Sequence, residues 1–319
     1  MGSALKEAYP DSQVTWLVRP YTAPLLHLNP EVDQILLDHG QPGAVLAKQI
    51  RERAFDTAFV VYPRWRTVWA VRRAGVPERI GPANKWYSLF LSNRISQHRS
   101  KSERHEADYN LELLSAIGIL PKPRPTVFVL SEEERARARR VLDGHRISAD
   151  RPLAILHPGS GGSASRWPLT HFMDLGNRLA EEGVQVVVTA GQGETYQSIM
   201  VDQMRRIPVM IAAGSVTLRE LGALFSHADV MVSNSTGPLH LAVSVGTPTV
   251  SVYSPITACH PRRWGPYPDF VEGQSAHRAL VAPVVGGQPD MTGVSVEQVF
   301  EQCRAQWEKR RQTGVTRGQ

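Results

Sequence analysis

The chain has 319 residues, enough for two domains with separate cores, and its 42% hydrophobic and 21% charged residues are those of a globular protein. No stretch is apolar and long enough to span a bilayer, the opening MGSALKEAYPDSQ carries no run suited to a secretory signal, and the two cysteines, Cys259 and Cys303, give no support to a disulfide framework or a zinc site. A reducing cytoplasm is the expected compartment, and the net charge of +6 favours anionic partners without choosing among nucleic acid, lipid headgroups and phosphorylated glycans.

In the first half, VTWLVR (14–19), QILL (34–37) and TAFVV (57–61) read as buried strands, with helical stretches near 3–9, 42–53, 65–74 and 104–117. This is the rhythm of βαβ units and a mostly parallel sheet. VFVL (127–130) reads as one more strand. SEEERARARRVL (131–142) opens on Ser131 as an N-cap followed by acids, and its charges suit a solvated helix face. The polar stretch DGHRISADRP (143–152) places the domain boundary, giving an N-terminal domain over 1–148 and a C-terminal one over 149–319.

The second half repeats the rhythm. LAILHPG (153–159), VQVVVTAG (184–191), PVMIAA (208–213), DVMVSN (229–234) and TPTVSVY (247–253) read as strands. Helices are expected at 169–182, 194–206, 217–227 and from Gly237, and SVEQVFEQCRAQWEKRR (295–311) reads as a closing amphipathic helix. The expected fold class is α/β, two Rossmann-like domains with a cleft between them.

Three strand ends carry chemistry. LHPGSGGSASRWP (156–168) joins a strand to a helix, where an open parallel sheet binds ligands. Its glycines allow close backbone approach to an anion, Ser160 and Ser163 add hydroxyls, and Arg166 can bridge phosphate oxygens. The loop can equally be a plain connection. In SNSTGPLHLAVSVGTPTV (233–250), a helix starts at Gly237-Pro238, with Ser235 and Thr236 placed to donate to a phosphate and His240 one turn inside. The alternative is plain capping by Ser235 or Thr236, with His240 packed on the sheet. Two such helix starts together fit a diphosphate. At GQGE (191–194), Glu194 is suited either to ribose hydroxyls or simply to a first helical turn.

A basic and aromatic region follows Tyr62 in the first half. Arg64, Arg66, Arg94, Arg99 and Arg104 are the candidates to hold an anionic acceptor, although each one singly can be a solvated loop charge. Trp65, Trp69 and Trp86 at helical spacing read as core. Nucleic acid would account for the charge but not for the glycine-bearing strand ends.

Taken together, HPGSGGSASRWP, the Leu218–Leu221 L-x-E-L, SNSTGPLHLAVSVGTPTV, PRRWGPY (261–267) and the early YPDSQVTWLVRPYTAPLLHLNPEVDQIL (9–36) resemble glycosyltransferase family nine, which includes the lipopolysaccharide heptosyltransferases. The resemblance implies a GT-B fold and inverting transfer of heptose from ADP-heptose to an inner-core sugar, with no required cofactor or metal. It places phosphate contacts on Ser160, Gly161, Arg166, Thr236 and Gly237, the ribose on Glu194 and the adenine near Val216. It also implies a lipid-linked glycan acceptor, and any membrane contact is expected to be peripheral, on the inner membrane, through basic residues.

Two departures stand out. Ser235 occupies the place of an acid in the family's second motif. The family's first strand, with its glycine-aspartate loop and catalytic base, has no counterpart before MGSALKEAYPDS, so no catalytic residue is assigned. A sheet without that central strand is expected to leave its neighbours unpaired around a gap. A non-catalytic nucleotide-sugar-binding protein is therefore the alternative reading.

Overall fold

The computed structural model describes residues 1–159, 165–191, 209–211, 216–267 and 276–313. They form two compact units, Met1–Arg124 and Pro125–Gln319.

The first unit runs α1 (Gly2–Ala8), β1 (Thr15–Val18), β2 (Gln34–Leu37), α2 (Gly43–Arg51), β3 (Thr57–Phe59), α3 (Trp65–Ala74), β4 (Glu78–Pro82), β5 (Asn93–Ile95) and α4 (Glu106–Glu112). The strands fall into two parallel sheets, β1-β2 and β3-β4-β5. Helices α2 and α3 bury Leu46, Ile50, Val68 and Val71 against Leu36 and Val60, and Gly75 ends α3 in the left-handed region at φ 85°. Among the described residues β1 pairs only with β2 and β3 only with β4. A cavity of about 1110 Å³ is lined by both strands, by α1 and by side chains such as Ile50, Phe55 and Val71. The Trp16 indole N–H is buried there without a partner.

The second unit runs α5 (Glu132–Gly144), β6 (Leu153–His157), α6 (Leu169–Glu181), β7 (Gln185–Thr189), β8 (Val209–Ile211), α7 (Leu218–Ser226), β9 (Val230–Asn234), α8 (Gly237–Ser244), β10 (Thr249–Tyr253), α9 (Pro261–Trp264), β11 (His277–Val281), β12 (Val284–Val285), β13 (Gln288–Pro289) and α10 (Val296–Thr313). Six strands make one parallel sheet in the order β11-β10-β9-β6-β7-β8. That is the Rossmann winding, with the first strand, β6, in the middle and the chain reversing direction between β6 and β9. Strands β6, β7, β9 and β10 are buried along their whole length, as continuous apolar runs covered on both faces should be. In α10, Val299, Phe300, Cys303 and Trp307 recur at helical spacing and join the core.

Several expectations need correction. VFVL (127–130) forms no strand. The Val129 carbonyl accepts from Arg219 instead (2.6 Å), and the Arg219 guanidinium lies over the Phe128 ring. Strands β4, β5 and β11 were not expected. Trp65 and Trp86 are not core: they are 43% and 67% exposed. Helix α5, assigned from sequence to the N-terminal domain, packs in the second unit, where Ala138 and Leu142 are buried and Glu134 pairs with Arg219 on α7. The helix expected at 194–206 lies outside the described residues.

Candidate functional site

The register of the second sheet brings two loop starts level with each other. His157, the last residue of β6, sits opposite Ser233 on β9, and its Nδ1 lies 2.9 Å from the hydroxyl of Thr189 at the end of β7. Three neighbouring strands therefore end on one line, at the point where the winding reverses and parallel sheets hold ligands.

Asn234 fixes the geometry of this edge. It is fully buried at the end of β9. Its Nδ2 donates to the Pro158 carbonyl and its Oδ1 accepts from the Trp167 backbone N–H, both at 2.8 Å. One amide thus holds both ends of the glycine- and serine-bearing loop between β6 and α6. Trp167 completes the anchor: its indole N–H donates to the Val294 carbonyl at 2.7 Å, and its ring meets Phe172 edge-on. Arg166, next to this buried residue, is exposed, so its guanidinium projects from a fixed backbone position.

The second loop presents the N-terminus of α8. Thr236 is its N-cap, in extended backbone (φ −144°, ψ 166°), yet its side chain makes no capping bond. The Thr236 hydroxyl is buried and has no partner among the described residues. Plain capping, the alternative offered by the sequence, is thus not made by Thr236. Gly237 is exposed and Pro238 takes the second helical position, so the first turn keeps unpaired N–H groups at its tip. Ser235 is half-buried, and after Ser251 it is one of the hydroxyls that act to lower the pKa of Tyr253. The fully buried Tyr253 hydroxyl donates to the Trp264 carbonyl at 3.0 Å, and burial pushes its pKa up. His240, one turn inside α8, is half-buried. Directly before the PRRWGPY segment the His260 ring caps α9 by accepting from the Arg262 N–H, and burial, then the charge of Arg262, lowers its pKa.

Val216 is half-buried directly before Thr217, which opens α7 with a capping box to Glu220. Ser160, Gly161 and Glu194 lie outside the described residues.

The five arginines proposed for an acceptor are in the first unit, and they divide by what they already hold. Arg66 pairs with Asp38 and donates to the Gln41 carbonyl (3.1 Å). Arg99 pairs with Glu106 (2.5 Å) and donates to Val61, and Arg104 pairs with Glu112 (2.9 Å). These three stabilise the unit. Arg64 and Arg94 are exposed and make no ion pair among the described residues.

Asn234, Trp167 and Tyr253 were not singled out from the sequence. A signal was available for Asn234: an amide closing an otherwise apolar buried strand must find partners.

A model of glycosyltransferase family 9 (heptosyltransferase) matches residues 44–282. A putative glycosyltransferase of Haemophilus influenzae is 30% identical over 278 residues, covering 83% of this chain and 80% of its own length. Among solved structures, a family 9 glycosyl transferase of Veillonella parvula superposes with a TM-score of 0.81 at 21% identity, covering 97% of this chain and 92% of that one. The Escherichia coli ADP-heptose lps heptosyltransferase II superposes with a TM-score of 0.78 at 22% identity, covering 97% and 94%.

Proposed function

This chain belongs to glycosyltransferase family 9 and has its GT-B fold, and from that premise we propose that it moves a heptose, with inversion, from ADP-heptose to an inner-core sugar of lipopolysaccharide. One observation carries the reading: the Thr236 hydroxyl is buried at a helix N-terminus without a partner among the described residues, beside a loop whose two ends are pinned by Asn234. A buried hydroxyl left unpaired is costly, and a diphosphate oxygen would satisfy it.

In this reading Ser160, Gly161, Arg166, Thr236 and Gly237 hold the diphosphate. Ser235 supports the loop through Tyr253, His240 backs the helix start, Glu194 meets the ribose and Val216 lies near the adenine. Transfer breaks the bond from the heptose anomeric carbon to the phosphate oxygen and forms one to the acceptor oxygen, while the acceptor hydroxyl loses its proton. Charge builds on the departing ADP, so donors already aimed at its phosphates lower the barrier. Arg64 and Arg94 are proposed for the anionic acceptor. We assign no base. The acceptor is lipid-anchored, so the enzyme works peripherally at the cytoplasmic face of the inner membrane; no helix among the described residues is long and apolar enough to cross it.

Titration of the protein with ADP, UDP and GDP tests the donor site. ADP at one hundred times its Kd is expected to stabilise the fold by about 2.7 kcal/mol, read as a rise in Tm. Folded protein that ignores all three nucleotides would end the transferase reading.

Thr236→Val separates a ligand contact from a structural role. The hydroxyl has no partner among the described residues, so the substitution is expected to leave Tm unchanged or raise it slightly while weakening ADP about tenfold or more. An unchanged affinity would remove Thr236 from the phosphate site.

A further inference from the structure

The chain's positive charge is concentrated in one segment of the first unit. From Thr57 to Ser102 there are nine lysines and arginines and a single acid, Glu78, so this stretch carries more than the chain's whole net charge of +6. The same stretch exposes large apolar side chains: Tyr62 is 68% exposed, Trp86 67% and Leu89 71%.

The fold turns these side chains outward. Residues Trp86–Phe90 form a 3₁₀ helix, in which positions three apart eclipse. Trp86 and Leu89 therefore share one face. The buried Ser88 anchors the helix through a bond from its hydroxyl to the Ala83 carbonyl (3.0 Å), and Tyr87 donates to the Pro63 carbonyl (3.0 Å). On the outer side Trp86 stacks on Trp65 with ring centroids 5.0 Å apart, and Trp65 meets Phe90 at 5.5 Å. Cations adjoin the aromatic cluster: Arg72 lies over the Phe90 ring at 5.8 Å, and Lys85 directly precedes Trp86. Both are exposed, and neither makes an ion pair among the described residues.

We propose that this aromatic and basic patch, centred on Trp86 and Leu89, docks the protein on an anionic phospholipid surface. The inference rests on the peripheral location proposed above and names the surface that achieves it. Tryptophan and tyrosine favour the headgroup level, where an apolar ring and a polar N–H or O–H are both accommodated, and leucine favours the acyl boundary beneath. Arg72 and Lys85, exposed and without an ion pair among the described residues, match a negative membrane potential. Single-stranded nucleic acid would use the tryptophans and the charge but gains nothing from Leu89, whose aliphatic side chain offers no stacking face.

The test is flotation with vesicles of phosphatidylglycerol and phosphatidylethanolamine, against vesicles of phosphatidylcholine alone, at physiological salt. The wild-type protein is expected to float with the anionic vesicles, with a blue shift of tryptophan emission, and to stay behind with phosphatidylcholine. Trp86→Ala with Leu89→Ala, and separately Arg72→Glu with Lys85→Glu, are each expected to cut the bound fraction at least tenfold. Both should keep the wild-type Tm and ADP affinity, since neither pair belongs to the donor site. Absence of vesicle binding by folded wild-type protein, equal binding to phosphatidylcholine, or unchanged flotation of both double variants would overturn the proposal. So would a patch that proves instead to join two copies in solution or to bind oligonucleotides without binding vesicles. An intact ADP response alongside failed flotation would sink the docking surface and leave the donor reading standing.

Discussion

Asn234→Asp is expected to damage both stability and donor binding, although the two side chains differ by one atom. Aspartate keeps an oxygen for the Trp167 N–H but sets a second oxygen against the Pro158 carbonyl, where Asn234 now donates at 2.8 Å. The site is fully buried, so the variant must either hold an unpaired charge there or take up a proton. Losing the bond and leaving the carbonyl unsatisfied is expected to cost about 2–4 kcal/mol, seen as a lower midpoint in urea. The loop beginning after Pro158 then loses one of its two fixed ends, and the added negative charge lies near the proposed diphosphate. ADP affinity in the remaining folded protein is expected to fall more than tenfold. Asn234→Leu gives the comparison without charge: it leaves both backbone groups unpaired, with a similar loss of stability and a smaller loss of affinity. Wild-type melting and titration by Asn234→Asp would show that the amide does not organise the loop.

The second sheet was legible because its strands are long apolar runs separated by periodic helices, and the parallel winding follows from that alternation. The first unit was harder. Strand β4 ends in Gly81-Pro82, which reads as a turn signal, and β5 is only Asn93–Ile95, too short and polar to show a period. Trp65 and Trp86 have the spacing of core residues, and only the three-dimensional structure shows that they stack on each other at the surface. At the candidate site, small polar residues after β6 and β9 announced the location. The device that shapes it depends on one asparagine reaching two backbone groups that lie 76 and 67 residues before it in the chain, which no local pattern encodes.

The Glu134–Arg219 pair explains why the stretch from Pro125 to Gly144 belongs with the second unit, and its removal is expected to loosen that stretch. Arg219 on α7 is 7% exposed. Its Nη2 reaches Glu134 Oε2 and the Val129 carbonyl, each at 2.6 Å, and the guanidinium covers Phe128. Glu134 also closes the capping box of α5 with Ser131. The hydrogen bond from Arg219 holds the Glu134 carboxyl at about 2, below its ordinary value of 4.5. A carboxylate whose pKa is depressed in the folded state stabilises that state above its unfolded pKa and ceases to do so as pH falls through the folded one. The contribution of Glu134 is therefore complete above about pH 5 and fades between there and pH 2. Arg219→Met leaves the carboxylate and the Val129 carbonyl without their donor and is expected to cost about 3 kcal/mol at pH 7. It should also open the segment 125–131 to protease before the rest of the unit unfolds. Glu134→Gln can keep the capping box, so its loss at pH 7 should be smaller, and its urea midpoint should fall less steeply than that of the wild type from pH 5 to pH 3. Parallel curves for the two proteins across that window would mean that the ion pair adds nothing beyond the cap, and the attachment of α5 would then rest on the burial of Ala138 and Leu142 and on contacts such as that of His227 with the Arg135 carbonyl.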